Sequence, residues 1–90
     1  MKALRPQSAF KKDFKRISKR RYDLAKLEAV VDLLRNDQPL PPARRDHSLK
    51  GEWQDFRECH IEPDWLLIYQ ITAEHVVLAR TGTHADLFGN

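Results

Sequence analysis

Ninety residues make one small domain with a thin core, near the lower size at which a chain folds by itself. A hydrophobic share of 41%, against 32% charged residues, leaves much of the side-chain surface for a partner. No run of about 18 apolar residues exists, which excludes a membrane-spanning helix, and the net charge of +3 is small but unevenly distributed.

The single cysteine, Cys59, has no partner for an internal disulfide. Met1 to Phe10 lack an apolar segment followed by a small-residue cleavage site, so no signal peptide is expected and a cytoplasmic location is. Residues 1–21 hold nine lysines and arginines against one acid, Asp13. Such a block neutralises phosphates and releases counterions, which points to nucleic acid or ribosome as partner. The plainer alternative is a solvated helix face.

In chain order, Lys2 to Arg5 reads as a short edge strand ended by Pro6. Ser8 stands where a hydroxyl would cap a helix, and Phe10, Phe14 and Ile17 then recur on one helical face. A second helix is predicted over Tyr22 to Arg35. Leu24, Leu27, Val31 and Leu34 form its stripe, widened by Val30 and Leu33. Pro39, Pro41 and Pro42 end it. The loop from Pro39 to Gly51 carries Arg44, Arg45, Asp46, His47 and Lys50. Trp53 to Ile61 reads as a strand, with Phe56, Glu58 and His60 on one face and Arg57, Cys59 and Ile61 on the other. Glu62-Pro63-Asp64 is a turn. Trp65 to Ile71 is too apolar to be covered on one side only and reads as a central strand. After a turn at Thr72-Ala73-Glu74, His75 to Arg80 completes a meander, and Thr81 to Asn90 form a tail. The expected fold is one α+β domain over residues 1–90, β-α-α-β-β-β, with two N-terminal helices packed on an antiparallel sheet.

His47, His60, Asp64 and His84 fall in a loop, beside a turn, in that turn and in the tail, places that meet at one end of a meander. Histidine exchanges protons near neutral pH. Metal-free RNA cleavage needs a base for the 2′-hydroxyl proton, an acid for the leaving 5′-oxygen and cations at phosphorus. The three histidines, Asp64 and the arginines Arg80, Arg57 and Arg45 offer those parts. A lone histidine is more often a surface or hydrogen-bonding residue, and His75, beginning a strand, is assigned no role. No metal site is expected: Pro63 forbids a helical arrangement of His60 and Asp64, and neither a cysteine pair nor a close histidine pair exists. Trp53 and Trp65 read as core anchors, although Trp65, next to Asp64, is also placed to shape a site. Phe88 is either a base-stacking ring or a C-terminal anchor. Cys59 reads as an inert strand residue.

Three segments in order, Asp46-His47-Ser48-Leu49-Lys50-Gly51, His60 to Tyr69 and Arg80 to Phe88, resemble the YafQ-type toxins of the RelE/ParE superfamily. The likeness covers nearly the whole chain. It implies a RelE-like fold and a metal-independent endoribonuclease, without cofactor, that cuts mRNA in the A site of the 70S ribosome by attack of the 2′-hydroxyl. It also implies a DinJ-type antitoxin as partner, and operator DNA bound through the antitoxin complex. The family's active-site set falls here on His47, His60, Asp64, Trp65, His84 and Phe88. His84 is then the leading acid–base group, with Asp64 and His60 beside it. His47 orients substrate or shares the proton transfer, Trp65 and Phe88 contact substrate, and Arg80, Lys50 and Arg45 face the phosphates. Alternatives are a ParE-like toxin that inhibits gyrase without catalysis, a basic nucleic-acid-binding module, and a folded toxin that no longer cuts. The complete histidine set argues against the first; the second predicts strong, salt-sensitive binding to naked nucleic acid without product, and intact motifs argue against the third.

Overall fold

The computed structural model describes residues 1–89. Its core is a five-stranded sheet, β1 (Ala3–Pro6), β2 (His47–Ser48), β3 (Arg57–Glu62), β4 (Trp65–Ile71) and β5 (His75–Gly82), in the order β1-β5-β4-β3-β2. Helices α1 (Ser8–Lys19) and α2 (Leu24–Arg35) lie on the chain between β1 and β2, and α3 (His84–Phe88) follows β5. This is the α+β arrangement expected, with one difference in the sheet. β2 to β5 are antiparallel, but β1 runs parallel to β5, with Ala3 opposite His75 and Pro6 opposite Leu78. Pro6 is tolerated inside β1 because that strand is an edge, where a missing N–H costs no ladder bond.

The next residue corrects the predicted cap. The Gln7 N–H donates to the Leu78 carbonyl, so Gln7 still belongs to the extended chain and is itself the N-cap. Ser8 is the first helical residue, and no side chain closes this cap. The buried stripe of α1 is Phe10, Asp13 and Ile17, whereas Phe14 remains 38% exposed and leans on Phe10. α2 starts two residues later than expected, because Arg21 takes a left-handed conformation and the Asp23 side chain accepts the Ala25 N–H as a cap. Tyr22 instead meets Trp65 edge-on, with ring centroids 4.9 Å apart.

Leu27, Val30, Val31 and Leu34 of α2 pack with Phe10 and Ile17 onto Cys59, Ile61, Trp65, Leu67, Tyr69, Val76 and Leu78 of the sheet. Alternation sends Leu66 and Ile68 to the other face, where they are also fully buried, so β4 is covered on both sides. Burial pushes the Cys59 thiol up to about 12, which leaves it inert.

Two predicted strand boundaries move: β5, expected to end at Arg80, runs on to Gly82 because Leu66 and Leu67 of β4 still pair with Gly82 and Thr81, and β3 starts late. The strand expected from Trp53 begins at Arg57, because Gly51 turns with φ of +67° into a single 3-10 turn over Gly51–Trp53. Trp53 then packs edge-on against Phe56 rather than entering the sheet. The loop from Pro39 to Gly51 holds a 3-10 turn at Pro42–Arg44 and the two-residue strand β2, and the tail holds α3. Among the described residues, no helix is long and apolar enough to cross a membrane.

Candidate active site

The alternation of β3 sets the site. Cys59 and Ile61 face the helices, so Glu58 and His60 face the opposite side. β2 pairs with β3 in the register His47 opposite Glu58, which brings the loop histidine beside that carboxylate. From the far end of β5, Gly82 and Thr83 lead into α3 and place His84 at its first position. Its ring centroid lies 5.9 Å from that of His60.

Each of the three imidazoles is oriented by an acceptor at Nδ1. The His47 Nδ1 lies 2.8 Å from the Arg45 carbonyl, and the His60 Nδ1 3.1 Å from the Pro63 carbonyl. The His84 Nδ1 lies 2.6 Å from Asp64 Oδ1. A carbonyl or an ionised carboxylate only accepts, so Nδ1 carries the proton in all three rings and Nε2 is the free nitrogen. Glu58 Oε1 stands 3.6 Å from the Nε2 of His47 and 3.7 Å from that of His60. Glu58 is only 6% exposed, a buried carboxyl group facing two imidazoles. The His84 backbone N–H also donates to Asp64 Oδ1, and this bond, reinforced by the imidazole, holds the Asp64 carboxyl below the usual carboxylate range.

α3 is secured by side chains. Thr83 and Asp86 form a reciprocal capping box, and Arg20 donates two hydrogen bonds to Asp86, at 2.6 and 3.0 Å. These bonds hold the Asp86 carboxyl far below its ordinary range, the Arg20 fork being the main cause. Asp64 and Asp86 thus share a sign. Their folded values are depressed, so their contribution is present above the ordinary value of 3.8 and is lost as pH falls through the lower folded values. Amide resonances of α3 followed by NMR below that value are expected to move before those of β4. Simultaneous loss of both would contradict this.

The structure brings His47, His60, Asp64 and His84 to one end of the sheet, with Phe88 40% exposed at the end of α3. Arg45 and Lys50 are exposed on the loop that carries His47. Two predicted substrate contacts are held by other partners. Trp65 is 2% exposed, and its indole N–H donates to the Thr81 hydroxyl, which braces it in the core next to Asp64. Arg80 is committed to Asp13 through two bonds of 2.6 and 3.1 Å, which ties β5 to α1 and removes it as a free phosphate clamp. Arg57 is likewise engaged with Asp46, at 3.2 Å. Asp46 also accepts the Tyr69 hydroxyl, a pairing that anchors the segment leading into His47.

Sequence reasoning missed Glu58, which it placed on the His60 face without a role. The available signal was that shared face, where a carboxylate and an imidazole two residues apart point the same way. It also saw no close group of metal ligands. Folding brings one donor atom each from Glu58, His60 and His84 within 4.8 Å of one another.

The family model described as the YafQ toxin of bacterial type II toxin–antitoxin systems matches residues 2–89. The chain is 47% identical over 81 residues to a protein named mRNA interferase toxin YafQ from Escherichia coli K12, covering 89% of this chain and 88% of the other. The crystal structure of the E. coli DinJ–YafQ toxin–antitoxin complex aligns with a TM-score of 0.89 at 43% identity over 98% of each chain. A copper-bound point mutant of a Helicobacter pylori toxin aligns with a TM-score of 0.93 at 41% identity, over 98% of this chain and all of the other.

Proposed function

The chain belongs to the YafQ family of bacterial type II toxins, and on that premise we propose that it is a ribosome-dependent mRNA endoribonuclease restrained by a DinJ-type antitoxin. The observation that carries this reading is the common orientation of the three imidazoles, each with Nδ1 held against an oxygen, the Nε2 of His47 and His60 facing Glu58 and that of His84 unbonded. A binding-only toxin that inhibits gyrase has no use for such an array.

Cleavage needs one nitrogen to take the 2′-hydroxyl proton as that oxygen attacks the adjacent phosphorus. A second group protonates the 5′-oxygen as its bond to phosphorus breaks, which leaves a 2′,3′-cyclic phosphate. His84, oriented by Asp64, is the principal proton-transfer group and His60 its partner. Glu58 stabilises positive charge on His60 and His47 as the proton moves. His47, with Arg45 and Lys50 on its loop, orients the phosphate, and Phe88 offers a ring on which a base stacks. A metal is not required for these steps. Glu58, His60 and His84 are spaced to hold an ion such as the copper of the H. pylori mutant. An ion there would occupy the nitrogens that exchange protons, so it would act as an inhibitor.

The exposed lysines of α1, Lys11, Lys12, Lys15 and Lys19, supply a docking face for ribosomal RNA. An apolar groove of about 810 Å³ between β1, α1 and α2, with Leu4 and Phe14 exposed and Lys11, Lys15 and Arg35 at its margin, suits an amphipathic acidic segment of the antitoxin. Operator DNA is reached through that complex, and a substrate on translating ribosomes makes the location cytoplasmic.

The test is mRNA cleavage in a reconstituted translation reaction, mapped by primer extension with and without ribosomes and with chelator. Ribosome-dependent cuts that persist in chelator and are suppressed by added copper are expected. Intact mRNA in the presence of folded protein would move the reading to a non-catalytic toxin. Cuts abolished by chelator would make the metal a catalyst.

A further inference from the structure

α3 carries His84 at its first residue and Phe88 at its last, yet none of its residues is buried. The hydrophobic core therefore does little to fix its direction. Polar contacts do that work, and the longest-range of them comes from the end of α1. Arg20, the C-cap of α1, meets both oxygens of Asp86 with its fork, 66 residues away along the chain. Arg16 stands 3.7 Å from the same carboxylate. Asp86 in turn accepts the Thr83 N–H, and its own N–H donates to the Thr83 hydroxyl. It also lies close over Gly82, where an added Cβ would come within 2.9 Å of Asp86 Oδ2. Gly82, at φ of +148°, admits this approach where a side chain would block it.

Arg20 belongs to the basic N-terminal segment, so the plainest role for it is one more phosphate contact. Its geometry points elsewhere. The side chain of Asp86 is only 13% exposed, and the planar guanidinium is already engaged bidentately with it. We propose that Arg20 and Asp86 are positioning residues: the fork fixes Asp86, Asp86 fixes the first turn of α3, and α3 aims His84 at His60 and Glu58 and Phe88 at the substrate. This rests on the nuclease reading above. It adds that the basic helix, besides facing a polyanion, sets the orientation of the catalytic histidine.

The experiment is single-turnover cleavage of mRNA on programmed ribosomes with Arg20→Ala, Arg20→Lys and Asp86→Asn, alongside amide NMR spectra of each free protein. Arg20→Ala is expected to lower the maximal rate by about tenfold, less than the ~10²-fold a 1 Å misplacement can cost. The ribosome concentration at half-saturation should change little. Asp86→Asn, which keeps an acceptor for the Thr83 N–H, should show the same split. Arg20→Lys retains charge without the fork and should recover part of the rate. In the spectra, Arg20→Ala should move the amides of residues 83–89 while those of β3 and β4 stay in place. An unchanged maximal rate, or a loss confined to half-saturation, would overturn the proposal and make Arg20 a phosphate contact. If the wild-type protein cuts nothing, the nuclease reading fails and the spectra alone decide: undisturbed α3 amides in Arg20→Ala overturn the positioning role, and displaced ones support it.

Discussion

Replacing His84 by alanine is expected to reduce ribosome-bound mRNA cleavage by about 10²-fold or more, the usual contribution of a positioned acid–base group. The fold should be indifferent to the change. The His84 side chain is about half exposed, at 49%, and α3 is capped by Thr83 and Asp86 rather than by the imidazole. What disappears is a ring fixed at 2.6 Å on Asp64 with its other nitrogen open to substrate. Asp64→Asn should cost less, because the amide oxygen still accepts from the ring and only the charge is lost. Rates measured at saturating ribosome, with circular dichroism to establish that each variant is folded, separate the two. A His84→Ala protein that cuts at the wild-type rate would remove this residue from the chemistry.

The second large effect is on stability. Asp13 is 2% exposed in the middle of α1 and holds three partners at once: the Arg80 fork, the Thr81 N–H at 3.2 Å and Arg16 at 3.6 Å. Arg80 benefits in turn, its guanidinium pushed above the ordinary range chiefly by the Asp13 hydrogen bond. Asp13→Ala would leave a mostly buried cation and a buried N–H without partners. Breaking one member of such a pair costs about 3–5 kcal/mol, a large part of the ~5–15 kcal/mol that stabilises a typical domain. Urea unfolding should therefore show a midpoint far below that of the wild type. A loss under ~1 kcal/mol would mean that water replaces the carboxylate freely. The same pairing means that Arg80→Ala would reveal itself first as instability, and its cleavage rate is interpretable only on the folded fraction.

Long-period patterns were legible in the sequence and short or long-range ones were not. The apolar run from Trp65 to Ile71 announced a central strand because seven residues exceed what one covered face needs, and the stripe Leu27, Val31, Leu34 announced α2. The histidines were legible as a set through three ordered segments. Glu58 was not, since its role depends on the register that sets His47 opposite it, and β2 has only two residues to express a period. α3 is five residues long, under two turns, and reads as a tail for the same reason. Asp13 was noted only as the one acid of the basic segment, because a buried acid is identified by partners far along the chain, here Arg80 and Thr81. Trp65 was half resolved: its size marked it as core, and only the fold shows the Thr81 hydroxyl that holds its indole there.

The parallel pairing of β1 with β5 has a consequence for how the molecule comes into being. The first strand finds its neighbour only when the last strand has been made, so the closing contact of the sheet spans nearly the whole chain. Such high-contact-order closure is slow, because the loop entropy is spent before the contact rewards it. Every histidine of the site also lies after α2, and His84 follows the closing strand itself. A nascent chain can fold its helices early but holds no assembled site until β5 and α3 have been made. The candidate site is thus assembled in a single late step, when β5 closes on β1 and carries α3 into place.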